Sequence, residues 1–379
     1  MIRGLLRLQV LPPSEELDIR SLEQTLYAKN LTNSYKLFWF SALLTEISMG
    51  RSNIGFREII ARMLAKAWYP IIRFKLFFGP IDKISDAVSY LKTHYDFPVD
   101  IQESELTKQI LQLVQRDDRL RKRLEEFTKY VPYRFLSPFF SSGLRGLLDA
   151  KKNEKIELLS SESSTAIYQI VGDAINLPPA WVRYLSINQG ILRGWCDYHL
   201  IMYLQQRNPN VPAIAAKLTA PQTRDLRIAK SFWHEIIQTQ QVNDIYTKAD
   251  FKEISFDEYG SISIDHFLPW SFVLHDQIWN LTPTFQSINS AKNDRLPNLE
   301  LHFEDFCQLQ YTAYSFAQSI GKHKKLLEDY YRLDARLASF NTHRDIIEPE
   351  IFNRILKNAI VPLHQIAYNQ GFNLWQWNN

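Results

Sequence analysis

Side chains that could carry out a metal-assisted hydrolysis lie close together in one short stretch of this 379-residue chain. Asp265 and His266 are adjacent, Asn280 follows His266 by 14 positions, Asn289 comes 9 positions later and Lys292 a further 3. A neutral imidazole can accept a proton at working pH, because its unperturbed pKa is about 6.5. Carboxylate and amide oxygens are ligands that suit Mg²⁺. The stretch therefore predicts a general base, His266, and a cation site at Asp265 and Asn289.

The strand that carries Asp265 and His266 can be predicted from the local pattern. Residues 261–264 alternate polar and apolar side chains, which is typical of a short half-buried strand. Adjacent strand residues point to opposite faces, so Asp265 and His266 are expected to diverge unless the strand twists or ends there. A second strand is predicted at residues 279–282, after a loop at residues 272–278.

A helix is predicted to follow the second strand. Pro283 suits a first helical turn, because its φ is fixed and its missing N–H is not needed there. Residues 285–292 have helical spacing. Asn289 and Lys292 are three residues apart on this helix and are therefore neighbours on its surface.

The order and spacing of these residues resemble those of the HNH endonucleases, whose ββα-metal fold holds one divalent cation against a phosphodiester. The likeness covers about residues 244–297 and is closest to the form found in RNA-guided CRISPR nucleases and in bacterial restriction and defence proteins. Pro269, Trp279 and Leu281 also agree with the family pattern. The resemblance implies a metal-dependent DNA endonuclease that leaves 5′-phosphate and 3′-hydroxyl ends.

The resemblance also assigns roles to the individual residues. His266 would activate water, while Asp265 and Asn289 would hold one Mg²⁺, for which Mn²⁺ can substitute. Asn280 is the middle residue of the family's name. It belongs to the catalytic constellation in a supporting role, in which its side chain ties the loop of the base to the second strand.

Two basic residues are assigned to the nucleic acid. Lys292, counted with the catalytic residues, would neutralise the scissile or an adjacent phosphate, and Arg295 would contact phosphate one turn further on. The net charge is only +3, from 44 basic and 41 acidic residues, so it gives no global signal for nucleic acid. Affinity for DNA comes mostly from phosphate neutralisation, so a local patch, a homo-oligomer or a partner must supply the remainder.

The cysteine content differs from that of many HNH domains, which bind structural zinc through two Cys-x-x-Cys pairs. This chain has only Cys196 and Cys307. No structural zinc is expected, so flanking helices must support the small domain by apolar packing. Two isolated cysteines also fit a reducing compartment, and a cytoplasmic location is predicted. Since no run of 18 apolar residues occurs, no membrane-spanning helix is expected.

The composition predicts a well-packed helical body, with 45% hydrophobic residues, 13% aromatic residues and only 12 glycines. The fold class is mainly α with an embedded small α+β element, in which a helical body carries the ββα-metal HNH finger. Three domains are predicted: a helical N-terminal domain for recognition or partner docking at residues 1–240, the nuclease domain at 241–300, and a C-terminal helical segment at 301–379.

Three finer expectations concern the N-terminal domain and can be compared with the structure. Residues 1–13 are interpreted as an ordered strand or arm. Residues 104–130 read as one long amphipathic helix. Residues 143–159 read as a strand-like or mixed segment with a turn in its middle.

Three functions remain open from the sequence. The leading hypothesis is an Mg²⁺-dependent DNA endonuclease in anti-phage defence or restriction. The second is a nucleic-acid-binding effector subunit gated by a partner, such as an ATPase or another defence-system subunit. The third is an RNA-cleaving, toxin-like nuclease. One HNH site cuts one strand, so double-strand cleavage would need two chains or successive nicks.

Overall fold

The computed structural model describes residues 10–27, 31–80, 82–218, 225–320, 323–334, 336–339 and 347–377. The chain divides into two compact units, the first comprising residues 1–209 and 217–220 and the second residues 210–216 and 221–379. The structure is mainly α-helical with small sheets, which confirms the predicted fold class. Residues 1–9 of the predicted N-terminal arm lie outside the described residues. Among the described helices, none combines the length and apolar character needed to cross a membrane.

The first unit is a helical body with α2 (Tyr35–Ser48) in its core. Eight consecutive α2 residues, Leu37 to Leu44, are buried, and a helix that is buried all round must be covered by neighbours. The other elements are α1 (Ile19–Leu26), β1 (Asn53–Gly55), α3 (Phe56–Ile72), α4 (Lys83–His94), α5 (Glu103–Val114), α6 (Asp118–Thr128), α7 (Val131–Leu136), a 3₁₀ turn (Ser137–Phe140), α8 (Asp149–Ser161), β2 (Gln169–Val171), β3 (Ala174–Asn176), α9 (Pro179–Ile187) and α10 (Gln189–Arg207).

Two local expectations for this unit are wrong. The predicted long helix at residues 104–130 is broken into α5 and α6, because the Asp117 carboxylate accepts the N–H groups of Arg119 and Leu120 and caps a new helix. The segment at residues 143–159 is not strand-like: most of it belongs to α8. Of the α8 side chains only Ile156 and Ser160 are buried, so the helix lacks a clear apolar face.

The second unit contains the predicted HNH stretch together with the helices on both sides of it. Its elements are α11 (Arg227–Thr239), α12 (Glu253–Tyr259), β4 (Ile262–His266), α13 (Trp270–Val273), a 3₁₀ turn (Ile278–Asn280), β5 (Leu281–Phe285), α14 (Gln286–Lys292), β6 (Leu296–Pro297), α15 (Leu299–Ile320), α16 (Lys324–Tyr331), α17 (Arg336–Ser339), α18 (Pro349–Asn369) and β7 (Leu374–Trp375). The division into domains at residues 240 and 300 stays a prediction.

Strands β4 and β5 form a two-stranded antiparallel ribbon that continues directly into α14. Asp265 pairs with Thr282 and His266 with Leu281. Pro283 lies inside β5 opposite Ile264, so its predicted place in the first turn of the helix is wrong. A two-stranded ribbon tolerates proline because each strand has a free edge on which the missing N–H is not needed.

The C-terminal helices and tail support this ribbon by apolar packing. The Phe267 ring stacks on Phe306 of α15 with 3.8 Å between centroids. At the end of the chain, β7 pairs in parallel with β6, and the Trp375 ring lies 5.1 Å from that of Tyr246. The buried apolar residues of the ribbon belong to one cluster of buried apolar side chains shared with these helices, so the support of the ribbon is hydrophobic.

Candidate active site

His266 is the last residue of β4, and its ring is held by a carboxylate. The side chain is only 7% exposed, and Nε2 lies 2.8 Å from Oδ1 of Asp276. Asp276 belongs to the short loop between α13 and the 3₁₀ turn. The imidazole therefore has one nitrogen committed to a protein partner, and this fixes the orientation of the ring.

Asp265 points to the face of the ribbon opposite His266, as expected for adjacent residues of a strand. It is 3% exposed, and its carboxylate accepts a hydrogen bond of 2.6 Å from the Tyr246 hydroxyl. Burial, followed by the nearby Asp265 charge, raises the pKa of Tyr246 well above its ordinary value. The hydroxyl therefore stays protonated and can act as a permanent donor to Asp265.

Lys292, on α14, supplies the positive charge beside Asp265. Its side chain is fully buried, and Nζ lies 2.9 and 3.1 Å from the two carboxylate oxygens. Nζ also donates to the backbone carbonyl of His266 at 2.7 Å. This differs from the position expected of a phosphate contact, because the ammonium faces Asp265 and not solvent. The physical reason is that an unpaired buried carboxylate is costly.

Asn280 joins the segment after His266 to the beginning of β5. It is fully buried, its Oδ1 accepts from the Leu268 N–H at 2.8 Å and its Nδ2 donates to the Leu268 carbonyl at 2.9 Å. The backbone N–H of Phe267 also donates to the Asn280 carbonyl at 2.8 Å. These are the contacts that a supporting residue requires.

Asn289 and Arg295 lie on and just after α14. The Asn289 amide donates to the Ser263 hydroxyl at 2.7 Å and to the Ile264 carbonyl at 3.2 Å, which holds it against β4 beside Asp265. Arg295 is exposed, and its Nε donates to the Lys292 carbonyl at 3.3 Å. Of the two predicted phosphate contacts, Arg295 is thus the solvent-facing one.

The donor set beside β4 fits a hard divalent cation in its chemistry. Asp265 offers a carboxylate, and the Asn289 amide, which donates to β4 through its nitrogen, has its oxygen left as a further ligand. No cluster of three or more His, Cys, Asp or Glu side chains suited to a metal occurs in the described residues. One or two protein oxygens are nevertheless enough for Mg²⁺, which keeps several waters. The charge of Asp265 is already balanced by Lys292 in this arrangement.

Sequence reasoning missed two residues of the site, Tyr246 and Asp276. Tyr246 precedes Asp265 by 19 positions and lies outside any periodic pattern, so only the folded chain brings it to the carboxylate. Asp276 could have been suspected as the carboxylate in the loop after the base. Its neighbour His275 is partly buried, and burial, followed by the proximity of His266, lowers the pKa of His275 to about 4.

Comparison with known proteins identifies one matching family. A model of the HNH endonuclease family matches residues 244–298, a range that contains every predicted site residue as well as Tyr246 and Asp276. No curated protein and no solved structure gives a significant match to the chain.

Proposed function

We propose that this protein is a metal-dependent endonuclease that hydrolyses phosphodiester bonds of DNA. The proposal starts from the match of residues 244–298 to the HNH endonuclease family. The observation that carries the proposal is the pairing of two differently held side chains at the end of β4. The His266 ring is fixed by Asp276 on one face of the ribbon, and Asp265 is fixed by Tyr246 and Lys292 on the other.

In this proposal His266 is the general base. Its ring accepts a proton from the attacking water, whose oxygen forms a bond to phosphorus while the bond to the 3′ oxygen breaks. The products are a 5′-phosphate and, after the leaving oxygen takes a proton from solvent, a 3′-hydroxyl. Asn280 supports this step by fixing the backbone that follows the base.

Asp265 and Asn289 are the residues that would hold the cation, proposed to be Mg²⁺ with Mn²⁺ as a substitute. When bound, such an ion neutralises charge that develops on the phosphoryl group and the leaving oxygen. The contribution of the chain is to fix the ligands: Tyr246 and Lys292 orient the carboxylate, and β4 holds the amide.

Lys292 and Arg295 are proposed to act on phosphate in different ways. The buried ammonium of Lys292 adds positive charge behind Asp265, and direct contact with a phosphate would require another side-chain rotamer. Arg295 can reach solvent, and its guanidinium suits a phosphate in a groove passing α14. The remaining affinity for DNA is assigned to other parts of the chain, a second copy or a partner.

A second candidate function is a nuclease subunit gated by a partner, and burial of the site favours it. The side chains of Asp265 and His266 are only 3% and 7% exposed, so a phosphate cannot reach both without some opening of the surrounding loop. A partner such as an ATPase or another subunit of a defence system would supply that opening. Anti-phage defence or restriction, in the cytoplasm, is the corresponding biological role within the proposal.

The test is incubation of supercoiled plasmid and, separately, of a folded RNA with the wild type and with His266→Ala, in Mg²⁺, Mn²⁺ or EDTA. We expect metal-dependent nicking of the plasmid that is lost in the variant. Cleavage of RNA alone would replace DNA by RNA as the substrate. Cleavage that requires a second purified protein would establish the gated form, and cleavage unaffected by EDTA or by His266→Ala would contradict the proposal.

A further inference from the structure

The loop that carries Asp276 is short and anchored at both ends. It begins at Leu274, whose φ of 57° ends α13 and whose N–H donates to the Trp270 carbonyl at 2.8 Å. It ends at Gln277, whose carbonyl accepts from the Asn280 N–H at 3.0 Å. With only two residues between these points and Asn280 fixed on Leu268, the loop has little freedom to present Asp276 elsewhere.

The hydrogen bond between His266 and Asp276 determines which ring nitrogen can act on water. An ionised carboxylate only accepts hydrogen bonds, so the proton of the neutral ring must lie on Nε2. The lone pair is then on Nδ1. A ring that is 7% exposed has few waters to replace this partner, so the tautomer and the ring orientation depend on Asp276.

The far end of the loop is held by a helix that the family match does not include. Ile278, two residues after Asp276, is fully buried, and its N–H donates to Oδ2 of Asp329 on α16 at 3.0 Å. The other oxygen of Asp329 lies 3.1 Å from Nη1 of Arg332. The matched range ends at residue 298, so this anchor is a property of the present chain and its C-terminal helices.

We propose that Asp276 and Asp329 are positioning residues for His266: Asp276 holds the proton on Nε2 and the lone pair on Nδ1, and Asp329 holds the loop that presents Asp276. The catalytic meaning of this pair rests on the proposed nuclease function. The arrangement of the ring does not, because it is a property of the folded protein without substrate.

The direct test is the tautomer of His266, read by long-range ¹H–¹⁵N NMR on full-length protein labelled in its histidines, without DNA or added metal. The His266 signals are assigned by their loss in His266→Gln. We expect the wild type to show the Nε2–H form, Asp276→Ala to show an increased Nδ1–H population, and Asp276→Asn to retain Nε2–H, since its amide oxygen can still accept. An Nδ1–H ring in the wild type, or an unchanged ring in Asp276→Ala, would overturn the proposal.

The second readout is turnover, measured where the wild type cleaves. Asp276→Ala should lower kcat by about 10–100-fold with KM for DNA changed by less than about threefold, and Asp276→Glu should restore part of the rate. Asp257→Ala, which removes an exposed carboxylate of α12, is the matched control and should leave both constants unchanged. A wild type that cleaves nothing, either alone or with a partner protein, would remove the nuclease function, while the NMR result would still decide the role of Asp276.

Asp329 is tested in the same way through a contrast between two variants. Asp329→Ala loses the acceptor for the Ile278 N–H and should shift the His266 tautomer in the same direction as Asp276→Ala, with a kcat loss of about tenfold. Asp329→Asn keeps a neutral acceptor and should restore the wild-type signals. If the His266 signals are identical in the wild type, Asp329→Ala and Asp329→Asn, and circular dichroism shows an intact fold, Asp329 is removed from the proposal.

Discussion

Each of the two units of the chain contains a buried asparagine that bonds to one backbone residue and a buried ion pair. In the second unit an imidazole lies beside them. In the first unit Asn208 holds Phe77 by both its N–H and its carbonyl, as Asn280 holds Leu268 in the second. Each unit also buries an ion pair: Glu46 and Arg62 at 2.7 Å in the first, and Asp265 and Lys292 at 2.9 Å in the second.

The two units differ in the side chains that surround the buried ion pair. Glu46 and Arg62 join two helices, and their further ion pairs are with Arg51 and Glu103. The Asp265–Lys292 pair of the second unit lies directly beside His266 and also binds a tyrosine. A buried pair alone is therefore weak evidence for a functional site, and the adjoining imidazole and amide are what make the second pair a candidate site.

The largest expected effect follows from removing the buried cation of each pair. Lys292→Met should lower the free energy of unfolding of the second unit by about 3–5 kcal/mol, because it leaves Asp265 buried and unpaired. Arg62→Met should cost the first unit less, since Arg51 also contacts Glu46. Two-transition urea unfolding, followed by tryptophan fluorescence, measures both.

The free energies of unfolding of Lys292→Met and Arg62→Met should respond differently to added Mn²⁺. A cation that binds the folded Asp265 site should restore stability to Lys292→Met and not to Arg62→Met. Equal responses of both variants would mean that the metal does not bind at Asp265.

The next effect is a loss of stability of the second unit in acid. The His275 pKa is lowered to about 4, mainly by burial, so between pH 6.5 and 4 the unfolded chain binds a proton that the folded chain does not. Stability from this group is present above pH 6.5 and lost as the pH falls to 4, by about 3 kcal/mol. His275→Gln should remove this part of the pH dependence. An unchanged pH profile in that variant would show that His275 titrates normally in the fold.

A smaller effect separates the two asparagines. Asn280→Ala and Asn208→Ala should each cost about 1–3 kcal/mol, because each leaves a buried backbone pair without its partner. Only Asn280→Ala should also reduce cleavage at a temperature where both variants remain folded. Equal losses of activity would mean that Asn280 acts through global stability alone.

The smallest effect on stability belongs to Arg295. Arg295→Ala should change the free energy of unfolding by less than about 0.5 kcal/mol and reduce the salt slope of DNA binding by about one. Arg121→Ala, which removes a partly exposed arginine of α6, is the control for surface charge. A salt slope that responds equally to both variants would remove Arg295 from the DNA contact.

The sequence predicts elements and spacings well where they depend on neighbouring residues. The strand at Asp265 and the helix bearing Asn289 are found as predicted, since alternation and helical spacing are local signals. The predicted position of Pro283 was wrong because it relied on the preference of proline for a helix start, and proline is also tolerated at the free edge of a two-stranded ribbon. The break at Asp117 shows that a single capping side chain can outweigh a long amphipathic pattern.

The partners of the site residues could not be predicted from spacing. Asp276 meets the His266 ring, and Asp329 meets the Ile278 N–H, only after α13, the 3₁₀ turn and α16 have packed. The inward position of Lys292 likewise depends on the low exposure of Asp265, which becomes known only from the complete core. Residue types and spacing therefore predict the candidate residues, whereas tertiary packing determines their hydrogen-bond partners.

The most direct test of the nuclease account is analysis of product ends from duplex DNA labelled at either terminus, incubated with Mg²⁺ and wild type, His266→Ala or Asp257→Ala. The account predicts new 5′-phosphate and 3′-hydroxyl ends with the wild type and Asp257→Ala, and a loss of about 10²–10⁴-fold in rate with His266→Ala. Cleavage by His266→Ala at the wild-type rate would contradict the account.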